Sequence, residues 1–385
     1  MDDTTENYLN FDMVEGRTVA TRVKSEFPLR LMLPKYRADA TDGSREEATS
    51  DEALWCYMLN YGGGLLQGDT IGLEVSVGVG CSVVLASQGS TKVFKNERTK
   101  PPRQEPGATP SHPGPLRYHP YAEQAMRCRV GAGALLALLP QPVTCFKDAR
   151  YRQRQRFDLP ADGSGSLLLL DWVTAGRFAE PLGEAWAFSD FSSLNEVYLG
   201  GRLAFVDALS LNEPLTPPSG EGGGQLTVAD RMGSVRVFGL ALLVGPALQP
   251  AMAHIRASVA SRGTYRDHHH RGEGGEEEEE EDEEGEEAGD GRDGAEEEEK
   301  RKRQRVGAAV PGDGGPLPAL CSSSDLWLQG GDEHTPRGGG DGGVADGLVL
   351  RFATETTEEA HDALLRALAP LAARLGRLPF GPVAV

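Results

Sequence analysis

Cysteine is scarce in this chain: five residues in 385, at positions 56, 81, 128, 145 and 321, with no Cys-x-x-Cys pair. An odd, scattered set excludes a disulfide framework and fits reduced thiols. Long apolar runs are also missing. The longest, Val237 to Leu248, is too short and too rich in glycine to span a bilayer. Met1 to Glu6 lacks the basic start and apolar run of a secretory leader. These absences set the expectation of a cytoplasmic protein with no membrane partner.

Catalytic signatures are missing as well. There is no G-x-x-x-x-G-K-[ST], which removes the case for intrinsic GTPase or ATPase activity. Gly78-Val79-Gly80 begins like a dinucleotide fingerprint but lacks the last glycine and stands between strands. Neither G-x-S-x-G nor H-E-x-x-H occurs. Of the eight histidines, only His254 and His361 fall in segments with a regular pattern, so no His-based active site is visible. The expectation is a protein that is not an enzyme.

What is abundant points to β structure. The chain holds 49 glycines and 25 prolines, against 39% apolar residues. That balance favours short strands joined by turns over a helical bundle. Acids outnumber bases by 58 to 39, a net charge of −19. Glu273 to Arg305 alone holds 18 acids and 6 bases, a net −12, leaving −7 for the rest. A chain of this balance does not wrap nucleic acid, which needs clustered Lys and Arg.

Ile71–Val77 alternates apolar and polar residues, and Cys81–Ala86 follows after the glycine turn Gly78–Gly80, a pattern that reads as a hairpin. Further strand-like runs lie at Arg17–Pro34, Leu54–Leu59, Ala125–Val130, Ala134–Leu139, Val143–Phe146, Tyr151–Leu159, Leu167–Val173, Glu184–Phe188, Val197–Leu211 and Val235–Val244. The expected fold is mainly β: a single large multi-stranded sheet with little helix. Residues 1–265 form its body, with a proline-rich loop at 98–119. Residues 266–343, acidic and then glycine-rich, are expected to be a disordered insertion, because like charges repel and bury little apolar surface. Within it, Leu326-Trp327-Leu328 is an apolar island that reads as a displaced piece of strand. Residues 344–385 return to the domain as a strand, Leu348–Phe352, and a helix capped by Thr356 or Thr357. Its apolar face is Ala360, Ala363, Leu364, Ala367, Leu368, Leu371 and Leu375, with Pro370 to end or kink it.

Several features admit two readings. Gly62-Gly63-Gly64 either cradles an anion through bare N–H groups or serves a tight turn. Asp69, after Gly68, either lines a channel or caps a turn. Arg150, Arg152, Arg154 and Arg156 alternate, so one strand face carries all four, as a partner-docking row or a solvated face. His268, His269 and His270 beside the acidic tract are weak candidate metal ligands or a drift of composition. Lys300–Arg305 has the look of a nuclear-localisation patch next to acids that would mask it.

Tyr61-Gly62-Gly63-Gly64-Leu65-Leu66-Gln67-Gly68-Asp69 resembles the P-G-G-G-[LV]-x-x-G-D signature of the urease accessory protein UreD (UreH) family. The likeness continues in order through Val75–Gly80, Leu85–Phe94 (with Gly89 and Lys92), Leu138–Val143 with Phe146, and Gly176-Arg177-Phe178-Ala179 with Gly183–Trp186. Tyr61 replaces the family's proline, and Pro181-Leu182 lengthens the last block. The resemblance implies a nearly all-β scaffold that binds UreF, through it recruits the GTPase UreG, and docks on apo-urease during nickel insertion. It implies no permanently bound cofactor, only nickel in transit along an internal water-filled tunnel. By position, Asp69 and Glu184 are the carboxylates expected to line or support that path. The alternative is a nickel-binding chaperone that uses the His- and acid-rich insertion.

Overall fold

The computed structural model describes residues 7–34, 52–95, 120–177, 183–212, 226–269, 321–329 and 344–376. The 98–119 loop, the 273–305 charge tracts, His270 and the 178–182 segment lie outside the described residues. One unit comprises Met1–Ile255 with Pro318–Val385. The other, Arg256–Leu317, is described only along a helix that ends at His269.

The first strands are β1 (Asn7–Val14), β2 (Arg17–Lys24), β3 (Leu29–Met32), β4 (Leu54–Asn60) and β5 (Gly64–Leu66). They are followed by β6 (Thr70–Val77), β7 (Ser82–Ser87), β8 (Thr91–Phe94), β9 (Ala122–Val130), β10 (Leu135–Leu139) and β11 (Val143–Cys145). The long strands are β12 (Arg150–Leu159), β13 (Ser166–Thr174), β14 (Asp190–Leu199), β15 (Arg202–Asn212) and β16 (Val237–Val244), and β17 (Cys321–Gln329) and β18 (Val344–Thr354) complete the set. The helices are α1 (Val228–Met232), α2 (Gln249–His269), α3 (Thr357–Leu368) and α4 (Ala372–Leu375).

The fold is mainly β, but the strands form two sheets rather than one. The first runs β15-β14-β12-β9-β6-β1-β2, and the second β17-β18-β16-β13-β10-β7-β4-β3, with β5, β8 and β11 attached. Between β6 and β14 the chain winds from one sheet to the other. Strands β6, β9, β12 and β14 are parallel neighbours in the first sheet, and β7, β10 and β13 are parallel neighbours in the second. Each turn of the winding adds one strand to each layer. The Gly78–Gly80 turn therefore carries the chain across to the second sheet and closes no hairpin. Burial explains why. Strand β6 alternates buried and part-exposed residues, whereas β7 is buried along almost its whole length. A strand buried on both faces belongs in an inner layer.

Strands β10 and β13 are wholly buried for the same reason. One face of them, with Leu136, Leu138, Leu167 and Leu169, shares a core with Leu73, Val75, Phe157 and Val197 of the first sheet. The other face presents Leu168, Trp172 and, from neighbouring strands, Trp55 and Phe352. The C-terminal segment covers it: the Trp172 ring meets His361 of α3 edge-on at 5.2 Å, and Trp55 Nε1 donates to the Leu375 carbonyl at 2.7 Å. The result is three layers, sheet on sheet on helix.

Helix α3 starts as the sequence predicts, in a capping box between Thr356 and Glu359, and its expected apolar face is buried. It ends at Leu368, before a 3-10 turn that contains Pro370. Helix α2 has no counterpart among the sequence expectations. Among its described side chains, the buried ones are Ala251, Met252 and Ile255, in the first two turns. Val197–Leu211 divides at Gly200-Gly201 into β14 and β15, and Glu184–Phe188 is a turn, with Trp186 at φ +57°. The stretch 266–343 is interrupted by β17, which pairs with β18 from Cys321 to Gln329, so the apolar island is a strand.

Candidate functional site

The conspicuous glycine block folds into a short loop in front of β5. Gly62 and Gly63 have φ of +74° and +76°. Gly64 is needed for space. A Cβ there would fall 2.6 Å from the Phe94 ring and closer still to the Lys92 carbonyl oxygen, because β5 runs beside β8 with Gly64 opposite Lys92. At Gly68 (φ +102°) the N–H donates to the Tyr121 carbonyl at 2.9 Å. Asp69 then caps the turn, its Oδ2 accepting from the Leu66 N–H at 2.8 Å. In the neighbouring turn Ser87 Oγ donates to the Gly89 carbonyl at 2.9 Å.

Segments far apart in sequence meet on this loop. The Phe94 and Phe146 rings meet edge-on at 4.9 Å, and the Arg177 guanidinium lies over Phe146 at 4.5 Å. Arg177 forms a two-point ion pair with Glu184, Nη2 to Oε2 at 2.8 Å and Nε to Oε2 at 2.9 Å. Gly176 (φ +93°) permits the turn, since a Cβ would stand 2.7 Å from the Cys145 carbonyl oxygen. The glycine loop, the Gly89–Lys92 turn, Phe146, Gly176-Arg177 and Glu184 thus form one structural hub. Glu184 is committed to Arg177 and Asp69 to its turn, so both carboxylates brace the hub.

A cleft of about 360 Å³ opens beside it, lined by Met58, Asn60, Gly63, Ser87, Gly89 and Lys92 among others. Behind it, between the sheets, lies a cavity of about 50 Å³. Met58, Asn60, Ser87 and Thr91 line both, so the two spaces are neighbours across these side chains. A cavity of that size has room for about three or four waters.

The cavity wall is polar in a way that the strand pattern does not announce. From β13, Asp171 points between the sheets. It accepts from Ser193 Oγ at 2.5 Å and Asn195 Nδ2 at 2.6 Å on one oxygen, and from Gln153 Nε2 at 3.1 Å on the other. Tyr151 hydrogen-bonds to Gln124 and Gln153. Burial pushes the Asp171 carboxyl above the usual range, and the Ser193 and Asn195 bonds partly oppose that. Two buried side-chain carbonyl oxygens, Gln155 Oε1 and Asn195 Oδ1, have no hydrogen-bond partner among the described residues. Gln155 lines the cavity. An unpaired acceptor on a residue lining such a space calls for a donor, either water or the water shell of a hydrated cation. Sequence reading passed over Asp171; the available signal was an acid inside the apolar run Leu167–Val173.

The thiols contribute little here. Burial pushes the Cys56 thiol up to about 12 and raises Cys145 further, so neither is a ready thiolate ligand. Among the described residues no group of three or more His, Cys, Asp or Glu could hold a metal ion. His268 and His269 close α2, with side chains outside the described set.

The four arginines of β12 do share the outer face of the first sheet, in register with Asp190, Ser192, Leu194 and Glu196. They are not equivalent. Arg154 pairs with Glu196 at 2.9 Å and Arg156 with Asp158 at 2.8 Å. Arg152 instead lies over the Tyr121 ring at 3.5 Å.

A family profile described as UreD urease accessory protein matches residues 5–288. The chain is 34% identical over 238 residues to urease accessory protein D of Oryza sativa subsp. indica, covering 62% of this chain and 64% of that protein. It is 33% identical over 249 residues to urease accessory protein D of Arabidopsis thaliana, covering 64% and 70%. To urease accessory protein UreD of Anaeromyxobacter sp. (strain Fw109-5) it is 35% identical over 254 residues, covering 66% and 70%. The chain thus spans just under two thirds of the length of the rice relative. The residues of the hub coincide with the blocks whose order first suggested the likeness, and with a match over most of the chain they establish that it belongs to the UreD urease accessory protein family.

Proposed function

We propose that this chain is a non-catalytic scaffold of urease maturation: it binds a UreF-type protein, through it recruits a UreG-type GTPase, and docks on apo-urease while nickel is inserted. GTP hydrolysis belongs to the partner on this reading, in keeping with a sequence that has no P-loop. The observation that carries it is the polar cavity at Asp171, set behind a cleft built from the family's own motif residues.

Nickel is cargo here and not a resident cofactor. The cavity offers carboxylate, carboxamide and hydroxyl oxygens, which suit brief contact with a hydrated divalent ion better than retention, because tight nickel sites use imidazole or thiolate. Asp171 is the carboxylate on this path, and Asp69 and Glu184 support it by holding the cleft wall. The test is urease activity in cells that express the cognate apo-urease and accessory proteins at fixed nickel, with and without this chain. Activity that depends on the chain is the expected result. Equal activity without it, and no co-purification with those proteins, would overturn the reading.

A further inference from the structure

The cavity behind the cleft holds a charge that its own walls leave unanswered. Asp171 is buried, and Ser193, Asn195 and Gln153 all donate to it, the arrangement of an ionised carboxylate. The charged groups around it are otherwise spent on one another. Arg154 lines the cavity, but its guanidinium lies on the outer face of the first sheet, paired with Glu196 at 2.9 Å. Asp207 of β15 acts on Asp171 through its charge, and Arg351 of β18 already neutralises it at 2.9 Å. Burial holds Tyr151 and Cys145 neutral. Among the described residues, one negative charge thus remains between the sheets with no cation against it.

The two unpaired oxygens lie beside that charge. Gln155 and Asn195 are 6% and 0% exposed and stand opposite each other on β12 and β14. Asn195 bonds Asp171 through its nitrogen, which sets its free oxygen one carboxamide away from the carboxylate. Gln155 lines the same cavity as Asp171. Nearby donors are committed elsewhere: Ser193 Oγ to Asp171, Gln153 Nε2 to Asp171 and Ser193, and the Tyr151 hydroxyl to Gln124 and Gln153. A water can donate to two carboxamide oxygens, but it leaves the buried carboxylate uncompensated, which is a costly arrangement. A cation answers both needs. One carboxylate balances a single positive charge, whereas a divalent ion would leave an excess of the opposite sign. Oxygen donors without imidazole or thiolate also suit a hard ion.

We propose that Asp171, Gln155 and Asn195 bind one resident alkali cation, of the sodium or potassium class, between the two sheets. The ion ties β13 of the second sheet to β12 and β14 of the first. This site stands on the cavity alone, whether or not nickel passes the same corner during urease maturation.

The test melts the full-length chain and the variants Asp171→Asn and Gln155→Leu near neutral pH at one ionic strength. Choline chloride, sodium chloride and potassium chloride are compared within each chain, so differences in basal stability do not enter. Asp171→Asn removes the charge, and Gln155→Leu removes one acceptor while keeping the charge. The wild type is expected to melt about 5 °C higher in the better alkali salt than in choline, with a response that saturates. Both variants should lose most of that rise. The acidic stretch Glu273–Arg305 is common to all three chains, so ions gathered there contribute equally. Sodium-23 NMR gives a readout without unfolding: the wild type should broaden the sodium line beyond either variant. Equal melting in choline and alkali salts overturns the proposal and leaves the two acceptors to water. An equal rise in all three chains overturns it as a general effect of salt. A rise given by micromolar nickel, and by neither alkali salt, overturns it in favour of a divalent site and leaves the nickel path standing.

Discussion

Asp171 is a carboxyl group buried between the sheets, with no ion pair among the described residues. Three side chains donate to it, and burial raises its pKa in the folded state. A folded pKa above the unfolded value of about 3.9 means that the native state binds the proton more tightly. Stability on this account is greatest at low pH and is lost as pH rises through the window between the two values. Asp171→Asn has no such proton to lose. The difference in melting temperature between wild type and Asp171→Asn should therefore move against the wild type as pH is raised from 4 to 7. A difference that stays constant with pH would show that Asp171 titrates alike in both states. In the maturation assay the same variant should lower nickel-dependent urease activity while it keeps co-purification with partners. This separates passage through the cavity from docking.

At the scale of elements, the parallel pair β5–β8 is short, and it positions the cleft wall. It exists because Gly64 lets two backbones approach. Gly64→Ala would drive a methyl group into the Phe94 ring and the Lys92 carbonyl, with neither able to retreat easily. An overpacking cost of about 1–3 kcal/mol follows, read as a lower denaturation midpoint. Gly89→Ala is the contrast: a Cβ there meets nothing within 4 Å, so its midpoint should stay close to wild type. A Gly64→Ala protein as stable as wild type would show that the close approach is not required.

The first unit is a winding of strands between two sheets, with the C-terminal helix covering one face of the second sheet. Strand β17 is the outermost strand on one edge of the second sheet, where it pairs with β18 from Cys321 to Gln329. Removing residues 272–317 leaves this pairing intact, whereas removing 266–343 deletes β17 and exposes the edge of β18. The shorter deletion should keep the wild-type melting temperature, and the longer one should melt earlier and aggregate more readily, as an uncovered strand edge does. Equal melting of the two would show that β17 adds no stability. If both deletions also support full urease maturation, the His- and acid-rich stretch is not the nickel store of the alternative reading.

The linear sequence by itself determined the β character, the helix at Thr356–Leu368 and the membership of a family of urease accessory proteins. Each of these is written locally, in period-two and period-3.6 patterns, in a capping box and in glycine blocks whose spacing survives in order. The β17 island was legible for the same reason, as an apolar triplet in a polar stretch. Only the tertiary structure decided that Gly78–Gly80 crosses between sheets, since a strand's partner depends on which faces other segments can bury. The same holds for Asp171, whose chemistry comes from Ser193, Asn195 and Gln153 on another sheet. It holds too for Arg154 of the arginine row, whose partner Glu196 comes alongside only when β14 pairs with β12.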